Sequence, residues 1–184
     1  MATIAPAYPA KGIRAPGLLV GTRAPPFALP TSPDGALTRS EQLLGAPALL
    51  IFYPGDFTPV CSNELAVFNE LAPGFQSLGA RLFGVSVDSL GSHVAFAREL
   101  HLRFPLLSDF HPKGEVSRRF QVYREEDGIT ERALFLLDAE GTIAWKKVGP
   151  IEEDLSPGEA LSALERLTGR QFEPPAPRRP EVWP

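Results

Sequence analysis

Residues 48–53, Ala-Leu-Leu-Ile-Phe-Tyr, are apolar at every position. A strand with one wet face alternates apolar and polar residues, so an unbroken run of this length predicts a strand covered on both faces. The chain therefore has to supply helices above and below a sheet. Further strands are read at 81–87 (Arg-Leu-Phe-Gly-Val-Ser-Val), 133–137 (Ala-Leu-Phe-Leu-Leu) and 142–148 (Thr-Ile-Ala-Trp-Lys-Lys-Val). The last two are joined by Asp138-Ala139-Glu140-Gly141, a hairpin-like turn. Between strands the period changes. Leu65, Phe68, Leu71 or Ala72, Phe75 and Leu78 fall at three- to four-residue spacing, which predicts one apolar helix face. Pro73-Gly74 interrupts that helix, so a kink or break is expected near residue 72. Two more helices are expected at about 91–101, with Val94, Ala97 or Arg98 and Leu100 or His101 dividing its faces, and at about 113–120. The fourth has the clearest start: Ser156 as N-cap, Pro157 as first helical residue, Glu159 at the capping-box position, and Gly169 as the stop. Strand–helix alternation closing on a hairpin predicts an α/β three-layer sandwich on a mixed sheet.

A chain of 184 residues fits one domain with tails, read as a domain at 18–170, a flexible N-terminal segment at 1–17 and a Pro-rich C-terminal tail at 171–184. The tail favours extended conformation, either free or as a strap docking through Trp183. The longest apolar run, 46–53, is too short to span a bilayer, and no signal peptide is read at the N-terminus. A net charge of −4, with basic residues grouped no further than the pairs 118–119, 146–147 and 178–179, argues against a nucleic-acid footprint. One cysteine excludes a disulfide scaffold, and a cytoplasmic protein is the default expectation. His93, His101 and His111 lack ligand spacing and are read as surface or helix-face residues, so no metal is expected. With no phosphate or dinucleotide loop, no cofactor is expected either, and without Cys-x-x-Cys a dithiol oxidoreductase is excluded.

The remaining chemistry lies at Cys61. It follows the loop formers Pro54-Gly55-Asp56-Phe57-Thr58-Pro59 and precedes the first helical pattern, an order that can place sulfur at a helix N-terminus. A lone cysteine can equally be a small buried hydrophobe. Thr58, three residues upstream, is near enough to direct its hydroxyl at the sulfur, and Pro59 stiffens the approach. An arginine from elsewhere would complete the positive potential that a thiolate needs.

Pro54, Thr58 and Cys61 form Pro-x-x-x-Thr-x-x-Cys, and 52–65 (Phe-Tyr-Pro-Gly-Asp-Phe-Thr-Pro-Val-Cys-Ser-Asn-Glu-Leu) strongly resembles the peroxiredoxins. So do 20–30 (Val-Gly-Thr-Arg-Ala-Pro-Pro-Phe-Ala-Leu-Pro), 85–89 (Val-Ser-Val-Asp-Ser), 104–109 (Phe-Pro-Leu-Leu-Ser-Asp) and 131–138 (Glu-Arg-Ala-Leu-Phe-Leu-Leu-Asp), in order along 18–169. The resemblance implies a thioredoxin-like fold and a thiol-dependent peroxidase. Cys61 would attack the peroxide, Thr58 would position it, and Pro54 would shield the pocket. Arg132 would stabilise the thiolate and the breaking O–O bond. Glu64 would orient an arginine, although a glutamate there also suits the first turn of any helix. Arg132 taken alone would read as a surface arginine. With no resolving cysteine, the chain resembles the one-cysteine group, so a sulfenic acid at Cys61 would be reduced by an external thiol, of low molecular weight or on a thioredoxin-like or glutaredoxin-like protein. The family also implies a homodimer. A second reading keeps the same cysteine in a peroxide-sensing or chaperone-like interaction protein with little turnover.

Overall fold

The computed structural model describes residues 12–172. Its first half contains β1 (Ala28–Pro30), β2 (Leu37–Arg39), β3 (Ala48–Phe52), α1 (Pro59–Ser77), β4 (Arg81–Ser86), α2 (Leu90–Glu99) and β5 (Leu106–Ser108). Then come α3 (Glu115–Arg119), β6 (Tyr123–Arg124), β7 (Ile129–Thr130), β8 (Arg132–Leu137), β9 (Ile143–Gly149) and α4 (Pro157–Thr168). The central sheet runs β5-β4-β3-β8-β9, with β3, β4 and β5 mutually parallel and β8 antiparallel to both β3 and β9. It is mixed, as expected. The short pairs β1–β2 and β6–β7 are additions that the apolar pattern does not announce.

Strand β3 is buried along its whole length, and its alternate residues serve two cores. Leu49, Ile51 and Tyr53 join Leu134 and Leu136 of β8 on one face, packed on Cys61, Leu65, Phe68 and Phe75 of α1 and on Leu164 of α4. Ala48, Leu50 and Phe52 join Ala133, Phe135 and Leu137 on the other, under Phe27, Val116 and Phe120. This two-sided cover is what the unbroken apolar run required. Register then places the site. Phe52 pairs with Ala133, so Arg132 lies at the end of β3 from which the chain leaves toward Cys61. Two residues before Leu134, Arg132 shares the face that carries Cys61.

The hairpin turn forms as read: Asp138 Oδ1 accepts from the N–H groups of Glu140 and Thr142, and Gly141 takes a φ of 83°. On α4, Ser156 accepts from Gly158 N–H and Gly169 closes the helix in left-handed conformation, while Glu159 pairs with Lys147. Two expectations need correction. Helix α1 runs through Pro73 to Ser77, so of the kink or break expected near residue 72 the break is ruled out. Phe68, Ala72, Phe75 and Leu78 are all buried on its inner face, and that burial offsets the roughly 3 kcal/mol that an interior proline costs. Gly74 lets the Phe172 ring approach so closely that a Cβ there would lie 2.8 Å from it. The second correction concerns α2, whose buried residues are His93 and Phe96, while Val94 and Leu100 are only partly covered.

Of the N-terminal segment, residues 12–17 lie against the domain. Gly17 N–H donates to Gln121 O at 2.9 Å, and Ala15 N–H donates to Glu131 Oε1 at 2.7 Å. Trp183 and most of the Pro-rich tail fall outside the described residues.

Candidate active site at Cys61

Thr58 ends the loop in extended conformation and N-caps α1, its hydroxyl oxygen accepting the Cys61 N–H at 3.3 Å. Pro59 supplies the first helical residue, where a missing N–H is harmless. Cys61 is therefore in the first turn, at the positive end of a 19-residue helix. The Thr58 hydroxyl donates onward to Gly55 O at 3.3 Å, so one side chain links the loop, the helix start and the thiol residue. The sulfur is fully buried.

Arg132 enters from the start of β8. Its Nη2 lies 3.4 Å from Cys61 Sγ and donates to Ile151 O at 2.9 Å; its Nη1 pairs with Glu64 Oε2. Glu64, one turn after Cys61 on α1, accepts the Leu155 N–H at 3.0 Å through Oε1. Both members of the pair are essentially inaccessible to water, at 1% exposure for Arg132 and 0% for Glu64. Burial pushes the Glu64 carboxyl above its usual range, against the opposing pull of Arg132 and the Leu155 N–H. Burial also works against the Arg132 charge, but Glu64 and Cys61 more than offset it and hold the guanidinium above the ordinary arginine value. Arg132 Nε is buried without a hydrogen-bond partner, leaving one donor of the guanidinium unused.

Four of the five residues singled out from the sequence are thus joined by direct contacts: Cys61, Thr58, Arg132 and Glu64. Pro54 is half-buried at the start of the loop, and it belongs to the group through the chain, four residues before Thr58. The Arg132 reading as a surface residue is overturned, and the Glu64 alternative of a plain helix-start glutamate is joined by a specific ion pair. An arginine fork, a helix N-terminus and a capping hydroxyl converging on one sulfur can hold it as a thiolate and place an oxygen against it.

A profile of the AhpC/TSA family matches residues 20–146. Peroxiredoxin 2 of Thermoplasma acidophilum is 34% identical over 154 residues, covering 80% of this chain and 75% of that protein. The chain is a peroxiredoxin of the AhpC/TSA family. Alkyl hydroperoxide reductase E of Mycobacterium tuberculosis, another relative, is 33% identical over 150 residues, covering 80% of this chain and 98% of the relative. Among solved structures, Enterococcus faecalis AhpC superposes with a TM-score of 0.73 at 31% identity, covering 80% of this chain and 91% of that one. Peroxidoxin BcpB of Mycobacterium tuberculosis gives 0.72 at 28%, covering 80% and 97%. This peroxiredoxin thus has the thioredoxin fold and is an oxidoreductase of the thiol-dependent peroxidase class. Its one cysteine places it with the one-cysteine group. No helix among its described residues is long and apolar enough to cross a membrane, and no cluster of His, Cys, Asp and Glu among them could hold a metal ion.

Sequence reading missed part of the surroundings. His93 is not a surface residue: it is 2% exposed and lies beside Asp56 and Tyr53 under the loop. Its spacing to Phe96 and Leu100 was the available signal, because a histidine on the apolar stripe of a helix must find a buried partner. His101 and His111 are exposed, as read. The backbone contributions of Ile151 and Leu155 left no trace in side-chain identity.

Proposed function

We propose that this peroxiredoxin reduces hydrogen peroxide or small organic hydroperoxides at Cys61 and returns to its reduced state with an external thiol. The thiolate attacks one oxygen of R–O–O–H; an S–O bond forms as the O–O bond breaks. Sulfur is oxidised by two electrons, and the departing RO⁻ takes up a proton and leaves as water or alcohol. Arg132 stabilises negative charge on sulfur at the start and on the separating oxygens at the transition state, the preorganised role that a fixed, dry cation performs well. Its unused Nε–H is available to such an oxygen. Thr58 orients the thiol residue and the peroxide, Pro54 walls the loop side, and Glu64 keeps Arg132 aimed.

One thiol then condenses with the sulfenic acid, releasing water and leaving a mixed disulfide; a second displaces Cys61 and departs as the disulfide product. A low-molecular-weight thiol or a thioredoxin-like or glutaredoxin-like protein fits this role, because the chain has no second cysteine. The family likeness supports a homodimer. The unpaired cysteine, with no disulfide framework, supports a cytoplasmic setting.

The contact of Arg132 Nη2 with Cys61 Sγ, at 3.4 Å, is the observation that carries this reading. Stopped-flow mixing with peroxide, followed by intact-mass measurement, should show rapid gain of one oxygen on Cys61 and its loss on adding a competent thiol. Cys61→Ser should be inert; a Cys61→Ser protein consuming peroxide as fast as wild type would sink the proposal. Stoichiometric oxidation without thiol-driven turnover would favour the sensing role instead.

A further inference from the structure

The loop that presents Thr58 and Cys61 is gripped from below by polar groups that the reaction at sulfur does not use. Asp56 lies between Pro54 and Thr58, with its side chain 1% exposed and that of His93 2% exposed. Tyr53 OH donates to Asp56 Oδ1 at 2.8 Å, and His93 Nδ1 approaches Asp56 Oδ2 at 2.9 Å. On the far side of the ring, His93 Nε2 lies 3.3 Å from Leu107 O. A carboxylate and a carbonyl can only accept, so the ring nitrogens are the donors available to both neighbours. The loop backbone is pinned as well: Asp56 N–H donates to Asp88 Oδ2 at 2.9 Å, and Ser86 Oγ holds the same oxygen at 2.6 Å.

The next residue shows what this grip achieves. Phe57 adopts a φ of 57°, the left-handed region, which a bulky side chain enters only under constraint. Such strain persists where the surroundings over-determine it. Here α2 does so twice. His93 holds the carboxylate of Asp56, and Phe96, three residues on and so on the same side of the helix, packs on the Phe57 ring with centroids 5.0 Å apart. Thr58 follows at once, in the extended conformation that an N-cap needs.

We propose that His93 and Asp56 form a buried clamp that imposes the turn at Phe57 and thereby positions Thr58 and the first turn of α1 for attack on peroxide. His93 is a positioning residue; it does not touch the sulfur. A buried polar pair is weak support for stability, since apolar replacements often do as well, which fits a role in placement. The proposal rests on the peroxidase reading above.

The test is the rate of Cys61 oxidation by hydrogen peroxide, measured by stopped-flow for wild type, His93→Ala, Asp56→Ala and the double variant. Alkylation by iodoacetamide is measured in parallel. Each single variant should slow oxidation about 10- to 100-fold, the loss expected when reacting groups are misplaced by about 1 Å. The double variant should be no slower than the slower single one, because the two residues act as a unit. Alkylation, which needs no peroxide held by Thr58, should fall far less. His93→Gln, which keeps an N–H for Asp56, should recover part of the oxidation rate. Oxidation of His93→Ala at the wild-type rate would overturn the clamp, as would losses that multiply in the double variant or equal losses in oxidation and alkylation. If the alanine variants fail to fold, His93→Gln and Asp56→Asn decide: oxidation slowed more than alkylation supports the clamp, and wild-type oxidation rates overturn it. Wild-type protein inert to peroxide would overturn the peroxidase reading together with the clamp, whereas a fast wild type beside a fast His93→Ala rejects the clamp alone.

Discussion

Replacing Glu64 with glutamine keeps the side chain's shape and its acceptor for the Leu155 N–H, but removes the charge that faces Arg132. Arg132 is then a guanidinium at 1% exposure, with Nε already unpartnered. Breaking a buried ion pair from one side costs about 3–5 kcal/mol, because the surviving charge stays desolvated without compensation. With its single oxygen kept on the Leu155 N–H, glutamine turns an NH2 toward Nη1, so donor meets donor and the expected loss is about 3 kcal/mol. In a domain of this size 1 kcal/mol corresponds to about 2–4 °C in Tm, so Glu64→Gln should melt roughly 6–12 °C below wild type. Calorimetry of the reduced protein at neutral pH measures this directly. A companion variant separates holding from stabilising. Glu64→Leu with Arg132→Met removes both charges and should recover most of the lost stability, while peroxide oxidation stays slow because no cation faces the sulfur. A Glu64→Gln protein melting within about 2–4 °C of wild type, a loss under about 1 kcal/mol, would refute the claim that the carboxylate holds Arg132 in place.

Thr58→Val removes the oxygen that caps α1 and should cost about 1 kcal/mol in chemical denaturation while slowing peroxide oxidation; Thr58→Ser, which keeps the hydroxyl, should retain both. Acid should act through Glu64. Because burial raises its pKa, Glu64 takes up a proton at higher pH than an exposed carboxylate, and the neutral form no longer pairs with Arg132. Oxidation followed by stopped-flow should therefore decline on acidification from above the usual carboxylate range, and Glu64→Gln should flatten that limb. For stability the sign is opposite: folded Glu64 binds its proton more tightly than the unfolded chain does, so this group alone destabilises the fold as pH rises from the usual carboxylate value through the raised one; Glu64→Gln does not mimic the protonated acid, because it turns an NH2 toward a donor that a carboxyl oxygen would face.

The sheet's centre was legible because β3 carries its two-sided burial in composition: no polar residue interrupts 48–52. The start of α1 was legible in part: the loop formers ahead of Cys61 and the apolar period after it bracket the helix end, while the cap at Thr58 and the first helical position of Pro59 come from the structure. Pro73 does not end α1, because local propensity is outweighed by the burial of Phe75 and Leu78 beyond it. The short strands β1, β2, β6 and β7, of two or three residues each, are too brief to show a period. His93 was misread because a histidine's burial depends on a partner 37 residues away, Asp56. Arg132 illustrates the limit best. Family likeness singled it out, but only the pairing of Phe52 with Ala133 determines which face of the sheet it occupies.

That pairing has a consequence for how the protein comes into being. During synthesis Cys61 emerges 71 residues ahead of Arg132, and the strands that unite them are far apart along the chain. A slip of β8 by one residue would turn Arg132 to the opposite face. The nascent N-terminal half therefore carries Cys61 without Arg132, and their contact forms only when the long-range, slow-forming antiparallel pair has closed in register. On the peroxidase reading of Cys61, recovery of its oxidation during refolding should report completion of the sheet, and misfolded or half-made chains lack the assembled site.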